Sequence, residues 1–250
     1  MSKNGIFKEI IDTIENEDMQ KFASACLETI PPYFFDVGAS STGKYHPTYA
    51  LGDLGLARHT CALVRFLNHT FAIECMNKFT DRERDILRIA GMMHDSRKSG
   101  SQNDYENSKY TKFDHPLLAA EVIRSLKDKN IIPEEEVEII AETIESHMGQ
   151  WNTDTRSDMV LPKPTTKLQK MLHWADYLAS RKDIEVKFDS NPNAAGAKPN
   201  PNSWTFPFGK YRDWTFSEVL GADISYLRWL RDKADMDIRE PLATFLKEME

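Results

Sequence analysis

Apolar residues recur every three or four positions through most of this chain, the spacing that lays them along one face of a helix. Thr80-Asp81-Arg82-Glu83 has the pattern of a capping box, and Ile86, Leu87, Ile89, Ala90 and Met93 then form a stripe that runs into His94. Upstream, Leu56, His59, Thr60, Leu63, Val64 and Leu67 belong to an earlier helix. Downstream, Asp114 stands ready to cap a helix carrying Pro116, Leu118, Ala119, Val122, Ile123 and Leu126. Pro133 opens another, with Val137, Ile140, Ile144 and His147 on one side. Thr165 or Thr166 starts a further helix whose Leu168, Leu172, Ala175, Asp176 and Ala179 face one way. So many amphipathic helices predict a mainly α fold, a bundle around one core.

Two stretches break the periodicity. Residues 99–112 are polar with scattered aromatics, and read as a mobile loop over a site or as a plain connector. Residues 191–203 are rich in Asn, Pro, Ala and Gly and read as a linker. Beyond it, 204–215 reads as two short strands around Gly209-Lys210, with helices at 224–233 and 238–249. The expected organisation is a helical domain over 1–188, a linker over 189–203 and a small α+β module over 204–250. No internal repeat or coiled-coil heptad stands out.

Composition narrows the picture only a little. The 250 residues allow one good-sized core with a small appendage. No apolar run approaches the ~20 residues of a membrane span, and no secretory apolar segment opens the sequence, so a cytoplasmic protein without a membrane partner is expected. Three cysteines, Cys26, Cys61 and Cys75, without paired spacing fit reduced thiols in such a setting. A net charge of -7 argues against coating long nucleic acid by charge alone. It leaves room for a nucleotide or a strand end, where a bound metal supplies local positive charge.

The chemistry concentrates in a few polar residues on apolar faces. Asp176 shares its stripe with leucines and alanines, and Asp95 follows directly on an apolar helix. Burying an unpaired carboxylate costs several kcal/mol, so each needs a cation, a set of donors or a metal. His59, His94, His115 and His147 lie at or near apolar faces as well. One such residue is ordinary core; six of them across five helices suggest a shared centre, because packed helices aim their apolar faces at one place.

The order His59, His94-Asp95, Asp176 resembles the signature of the HD-domain superfamily, helical metal-dependent phosphohydrolases. His115 and His147 resemble the additional ligands of its two-metal branch, which includes HD-GYP cyclic-dinucleotide phosphodiesterases and diadenosine-tetraphosphate hydrolases. His94-Asp95-Ser96-Arg97-Lys98 is similar to HD-x-G-K, with Arg97 in the place of the glycine. Gly55-Leu56-Ala57-Arg58-His59-Thr60 is similar to the G-L-x-x-H-[ST] segment of the first ligand. Residues 39–46, ending in Tyr45-His46, resemble the A-S-x-x-[YF]-H approach of some exonuclease-like members. Asp114-His115-Pro116 and Ser146-His147-Met148-Gly149 resemble the family too, and the likeness covers about residues 36–185.

The resemblance implies an HD-domain helical bundle in which His59, His94, Asp95 and Asp176 hold one metal. Asp95 then bridges to a second held by His115 and His147. Imidazole and carboxylate ligands suit Mn, Fe, Co, Ni or Zn without choosing among them. The implied reaction is hydrolysis of a phosphoester in a nucleotide or nucleic-acid end by a metal-bridged hydroxide. Lys98 would face a phosphate oxygen, Arg97 would do the same or lie in solvent, and His46 would contact substrate, protonate the leaving oxygen or serve as a purely structural loop histidine. The same ligand set also occurs in mixed-valent di-iron oxygenases of the superfamily, and a non-catalytic nucleotide-binding module is a third reading. His69, near a helix end, and His173, off the Asp176 stripe, are left outside the site. Finally, Phe206-Pro207-Phe208-Gly209-Lys210-Tyr211-Arg212 with Tyr226-Leu227-Arg228-Trp229-Leu230 resembles the C-terminal domain of exodeoxyribonuclease X-like proteins over about 204–235. Lys210, Arg212, Arg228 and Arg231, interleaved with Tyr211, Trp214 and Trp229, would then contact phosphates and bases, or else form a small core with solvated charges.

Overall fold

The apolar stripes fold as helices that bury them together. The computed structural model describes residues 3–40, 46–108, 110–155, 157–184, 205–206, 209–212, 214–233 and 242. The chain divides into two compact units, residues 1–185 and 186–250. The first runs α1 (Lys8–Asp12), α2 (Glu17–Leu27), α3 (Gly55–Ala72), α4 (Asp81–Met93), α5 (Gln102–Asn107), α6 (His115–Ser125) and α7 (Glu134–Glu145). A hairpin of β1 (Thr153–Asp154) and β2 (Ser157–Val160) follows, then α8 (Lys167–Ala179). The fold is mainly α, as the periodicity predicts. Among the described residues no helix is long and apolar enough to cross a membrane.

Local chemistry sets the helix starts. Thr80 accepts from the Glu83 amide while Glu83 reaches back to Thr80, and Thr166 with Gln169 does the same for α8. Asp114 occupies the N-cap position of α6 but makes no side-chain cap bond. The polar stretch 99–112 is more ordered than its sequence suggests. Ser101 and Asp104 form a capping box that starts α5, and the Tyr105 ring stacks on Tyr33 at 4.6 Å. The Tyr33 hydroxyl accepts from the Ser99 amide and donates to the Gly100 carbonyl. The stretch is therefore pinned at both of its aromatic and polar contacts, not a structureless loop.

Helices α3, α4, α7 and α8 pack on one another, and α6 packs on α7. Leu63, Leu67, Leu87, Ile89, Ile140 and Leu172 fill the space between them, all fully buried. Gly91 marks the closest approach of α4 to α3, since a Cβ there would lie 2.7 Å from the Leu63 Cδ2. The N-terminal segment is clipped to this frame by the buried carboxylate of Asp85. It accepts from the amides of Glu15 and Asn16, from the Asn16 Nδ2 at 2.6 Å and from the Arg88 Nη1 at 2.7 Å. Arg88 in turn donates to the Asn68 side chain.

Among the described residues of the second unit a bridge pairs Thr205 with Thr215, in the segment where two strands are expected from the sequence. Gly209, at φ +79°, belongs to the intervening turn. Then come α9 (Phe216–Ala222), which the sequence reading misses, and α10 (Ile224–Lys233), where it is expected. Phe206, Tyr211, Val219, Leu227, Leu230 and Leu242 form its core. The linker and the helix expected at 238–249 fall outside the described residues, apart from Leu242.

Removing one partner of a buried, fully satisfied charge pair leaves the other uncompensated, which costs about 3–5 kcal/mol. Asp85→Ala is expected to lower the unfolding free energy by about that much in urea titrations. A loss under ~1 kcal/mol would show that the clip is incidental.

Candidate metal centre

Five helices contribute to one cluster at the ends of the bundle elements. His59 lies in α3, His94 at the C-cap of α4, Asp95 next to it, His115 at the first position of α6, His147 just past α7, and Asp176 in α8. His59, His94, Asp95, His115 and His147 are buried, while the Asp176 side chain keeps 21% of its surface open. The cluster therefore reaches solvent on the α8 side.

Three rings are held by the same device. Nδ1 of His94 meets the Gly91 carbonyl at 2.8 Å, that of His115 the Lys112 carbonyl at 2.7 Å, and that of His147 the Ile144 carbonyl at 2.8 Å. A carbonyl only accepts, so each Nδ1 carries a proton, and each ring turns its Nε2 toward the cluster. Nε2 of His115 stands 3.3 Å from Nε2 of His147. Asp95 Oδ1 lies 3.0 Å from the former and 3.8 Å from the latter. Asp95 Oδ2 faces His94 Nε2 at 3.5 Å. Asp176 Oδ1 sits 3.0 Å from His59 Nε2 and 3.6 Å from His94 Nε2. Among the described residues two metal-competent triads emerge, His59-His94-Asp95 and Asp95-His115-His147, and they share Asp95.

The electrostatics match this donor set. Burial works against the charge of Asp95, but Lys98, His94 and His115 hold its carboxyl well below the usual carboxylate range. Asp176 is also lowered, against its burial, by the bond to His59 and by the nearby His94. Burial, reinforced by His94 and His115, pushes His147 down to about 3, so it is neutral at ordinary pH. His94 resists its burial and is raised, because Asp95 and Asp176 favour a positive charge there. The field that draws a proton to His94 draws a divalent cation more strongly. Asp95 Oδ1 and His94 Nε2 are buried without a hydrogen-bond partner, as a metal ligand atom would be. The donors fit divalent metal ions.

Other expected residues divide. Lys98 Nζ contacts Asp95 Oδ2 at 2.5 Å and lines a cavity of about 270 Å³ with Gly38, Ser40, Ser99, Tyr105 and Thr111. His46 reaches the cluster, its ring centroid 5.5 Å from that of His59. Burial, with His59 and Lys98 nearby, pushes His46 down to about 4. Gly55 lets the Ala50 backbone pass close to the start of α3, since a Cβ there would lie 2.4 Å from the Ala50 carbonyl oxygen. Arg97 goes elsewhere. Its Nη2 donates to the Thr29 carbonyl, and it lines a different cavity with Ser101, Asp104 and Leu118. His69 is exposed in the last turn of α3. His173 lies outside the cluster, yet its Nδ1 donates to the His147 carbonyl at 2.7 Å and holds that backbone. Gly149 (φ +59°) leaves room for that ring, which would otherwise stand 2.2 Å from a Cβ. The glycine is the only trace of this contact in the sequence. In the second unit, Lys210 Nζ lies 4.7 Å over the Tyr211 ring and 3.5 Å from Asp223. Arg212 and Arg228 are exposed, and the Arg231 side chain lies outside the described residues.

The HD domain family model matches residues 57–181, half of the chain, and takes in all six residues of the cluster. No curated protein and no solved structure matches the chain. With half its length matched and the His/Asp cluster where such a domain holds its metal, the chain belongs to the HD domain family, whose members are mostly metal-dependent hydrolases.

Proposed function

We propose that this chain is a phosphohydrolase that cleaves a phosphoester in a nucleotide or nucleic-acid end, and that the cluster around Asp95 would hold two divalent ions. The observation that carries the reading is one buried carboxylate shared by two triads, with a lysine ammonium against its outer oxygen. His59, His94, Asp95 and Asp176 would hold one ion, and Asp95, His115 and His147 the other. A pair of such ions supplies Lewis acidity and a water acidic enough to attack phosphorus near neutral pH.

The chain's own residues do the rest. Lys98 contacts Asp95 and also lines a neighbouring cavity, so its ammonium can bind a phosphate oxygen and stabilise charge that grows there. This cation favours phosphate over the dioxygen chemistry of a di-iron oxygenase. His46, depressed to about 4, is neutral at working pH and suits substrate contact better than proton donation. Arg97 is committed to the Thr29 carbonyl and supports the turn rather than the phosphate. Exposed Trp214 and Trp229 with Arg212 and Arg228 on the second unit support a strand end among the substrates.

Asp95→Ala is expected to abolish metal binding and turnover together, read by elemental analysis and by hydrolysis of short single strands and nucleotides. Turnover at the wild-type rate in that variant would remove the mechanism. His115→Ala is expected to keep one metal equivalent and lose the other with most of the activity; undiminished activity would indicate a one-metal site. Lys98→Ala should keep both metals but lower kcat by about 10²–10³-fold, the loss typical of one transition-state donor. Hydrolysis supported by redox-silent Mn or Zn is the expected result, and strict dependence on iron and oxygen would favour the oxygenase.

A further inference from the structure

Beside the cluster stands an aromatic shelf that metal chemistry does not use. Trp151, four residues past His147, keeps 48% of its surface exposed, although indoles are usually well covered. It is nevertheless held in place. Its ring stacks on Tyr177, the residue after Asp176, at 5.7 Å between centroids and 13° between planes. Its edge meets the His173 ring at 5.9 Å. Tyr177 itself lies under the Arg181 guanidinium, 5.3 Å from the ring centroid. Asn152 anchors the neighbouring backbone by exchanging bonds with Leu161, 2.9 Å each way.

Both supports of the shelf are tied to metal-cluster residues. Tyr177 follows a ligand on α8, and His173 grips the carbonyl of another. The shelf is thus tied to the backbone of His147 and of Asp176, whose side chain is partly open to solvent. A rigid, half-open indole next to a phosphate-cleaving centre offers a flat apolar face at little entropic cost. We infer that Trp151 is the stacking platform for the nucleobase attached to the scissile phosphate, which makes a nucleoside ester the substrate class. The inference rests on the phosphohydrolase reading. A glycerol phosphate or a choline headgroup would present no flat aromatic face to this surface. Stacking needs only a π-face, so the platform would select for a base without choosing among bases.

The test compares two esters with the same leaving group on the metal-loaded full chain: thymidine 5′-(p-nitrophenyl phosphate) and methyl p-nitrophenyl phosphate. The ratio of their kcat/KM values isolates the base. Trp151→Leu is expected to lower that ratio about five- to hundredfold, mainly through KM, while Trp151→Phe retains most of it. An unchanged ratio, or an equal fall for both esters, would overturn the platform. If the wild type hydrolyses neither ester, the hydrolase reading fails instead. Calorimetry with thymidine 5′-monophosphate then decides for the platform, and equal binding by wild type and Trp151→Leu would overturn it.

Discussion

The Nε2 atoms of His115 and His147 point at each other across 3.3 Å in a buried space, with the Asp95 carboxylate beside them. Neither ring can relieve this by turning its proton inward, because each Nδ1–H is already bonded to a backbone carbonyl. A buried anion is costly unless a cation or donors lie beside it, and a divalent ion among these atoms would meet that need. That arrangement fits a divalent metal site better than a set of satisfied core residues. It also explains why the sites are linked, since Asp95 is the anion in both triads.

The helical frame supplies what the constraint needs. A helix C-terminus leaves carbonyls without intrahelical partners. His94 and His147 use such carbonyls, Gly91 in the last turn of α4 and Ile144 in the last turn of α7, so the rings that would bind metal also cap their helices. Gly91 lets α4 seat on α3 close by, which faces His94 toward His59. The Asp85 clip holds the N-terminal segment on the same α4. Stability and chemistry therefore share elements, and damage to the frame would reach the centre.

Much of this was legible in the sequence, for physical reasons that are local. Helices α4 and α8 carry capping boxes and regular stripes, and the mainly α class follows from them. The polar residues interrupting those stripes named the cluster, because a buried carboxylate demands a partner wherever it lies. The rest depends on contacts between distant positions. Short α5 is built by one cap and the Tyr33 stack, and the hairpin at 153–160 and α9 are too brief to show periodicity. The Asp85 clip pairs residues about 70 positions apart, so nothing near Asp85 announces it. Motif position could place Arg97 beside Lys98 but not tell that its guanidinium turns away to Thr29. His173 and Trp151 act through neighbours on another element and leave only Gly149 as a sign.

The central claim is that Asp95 serves two ions at once. Anomalous diffraction from crystals of the Mn(II)-loaded protein tests it directly. The expected map has two peaks about 3.5–4 Å apart, each touching one oxygen of Asp95, with His94 on one side and His115 and His147 on the other. A single peak, or peaks that leave the Asp95 carboxylate untouched, would contradict the account.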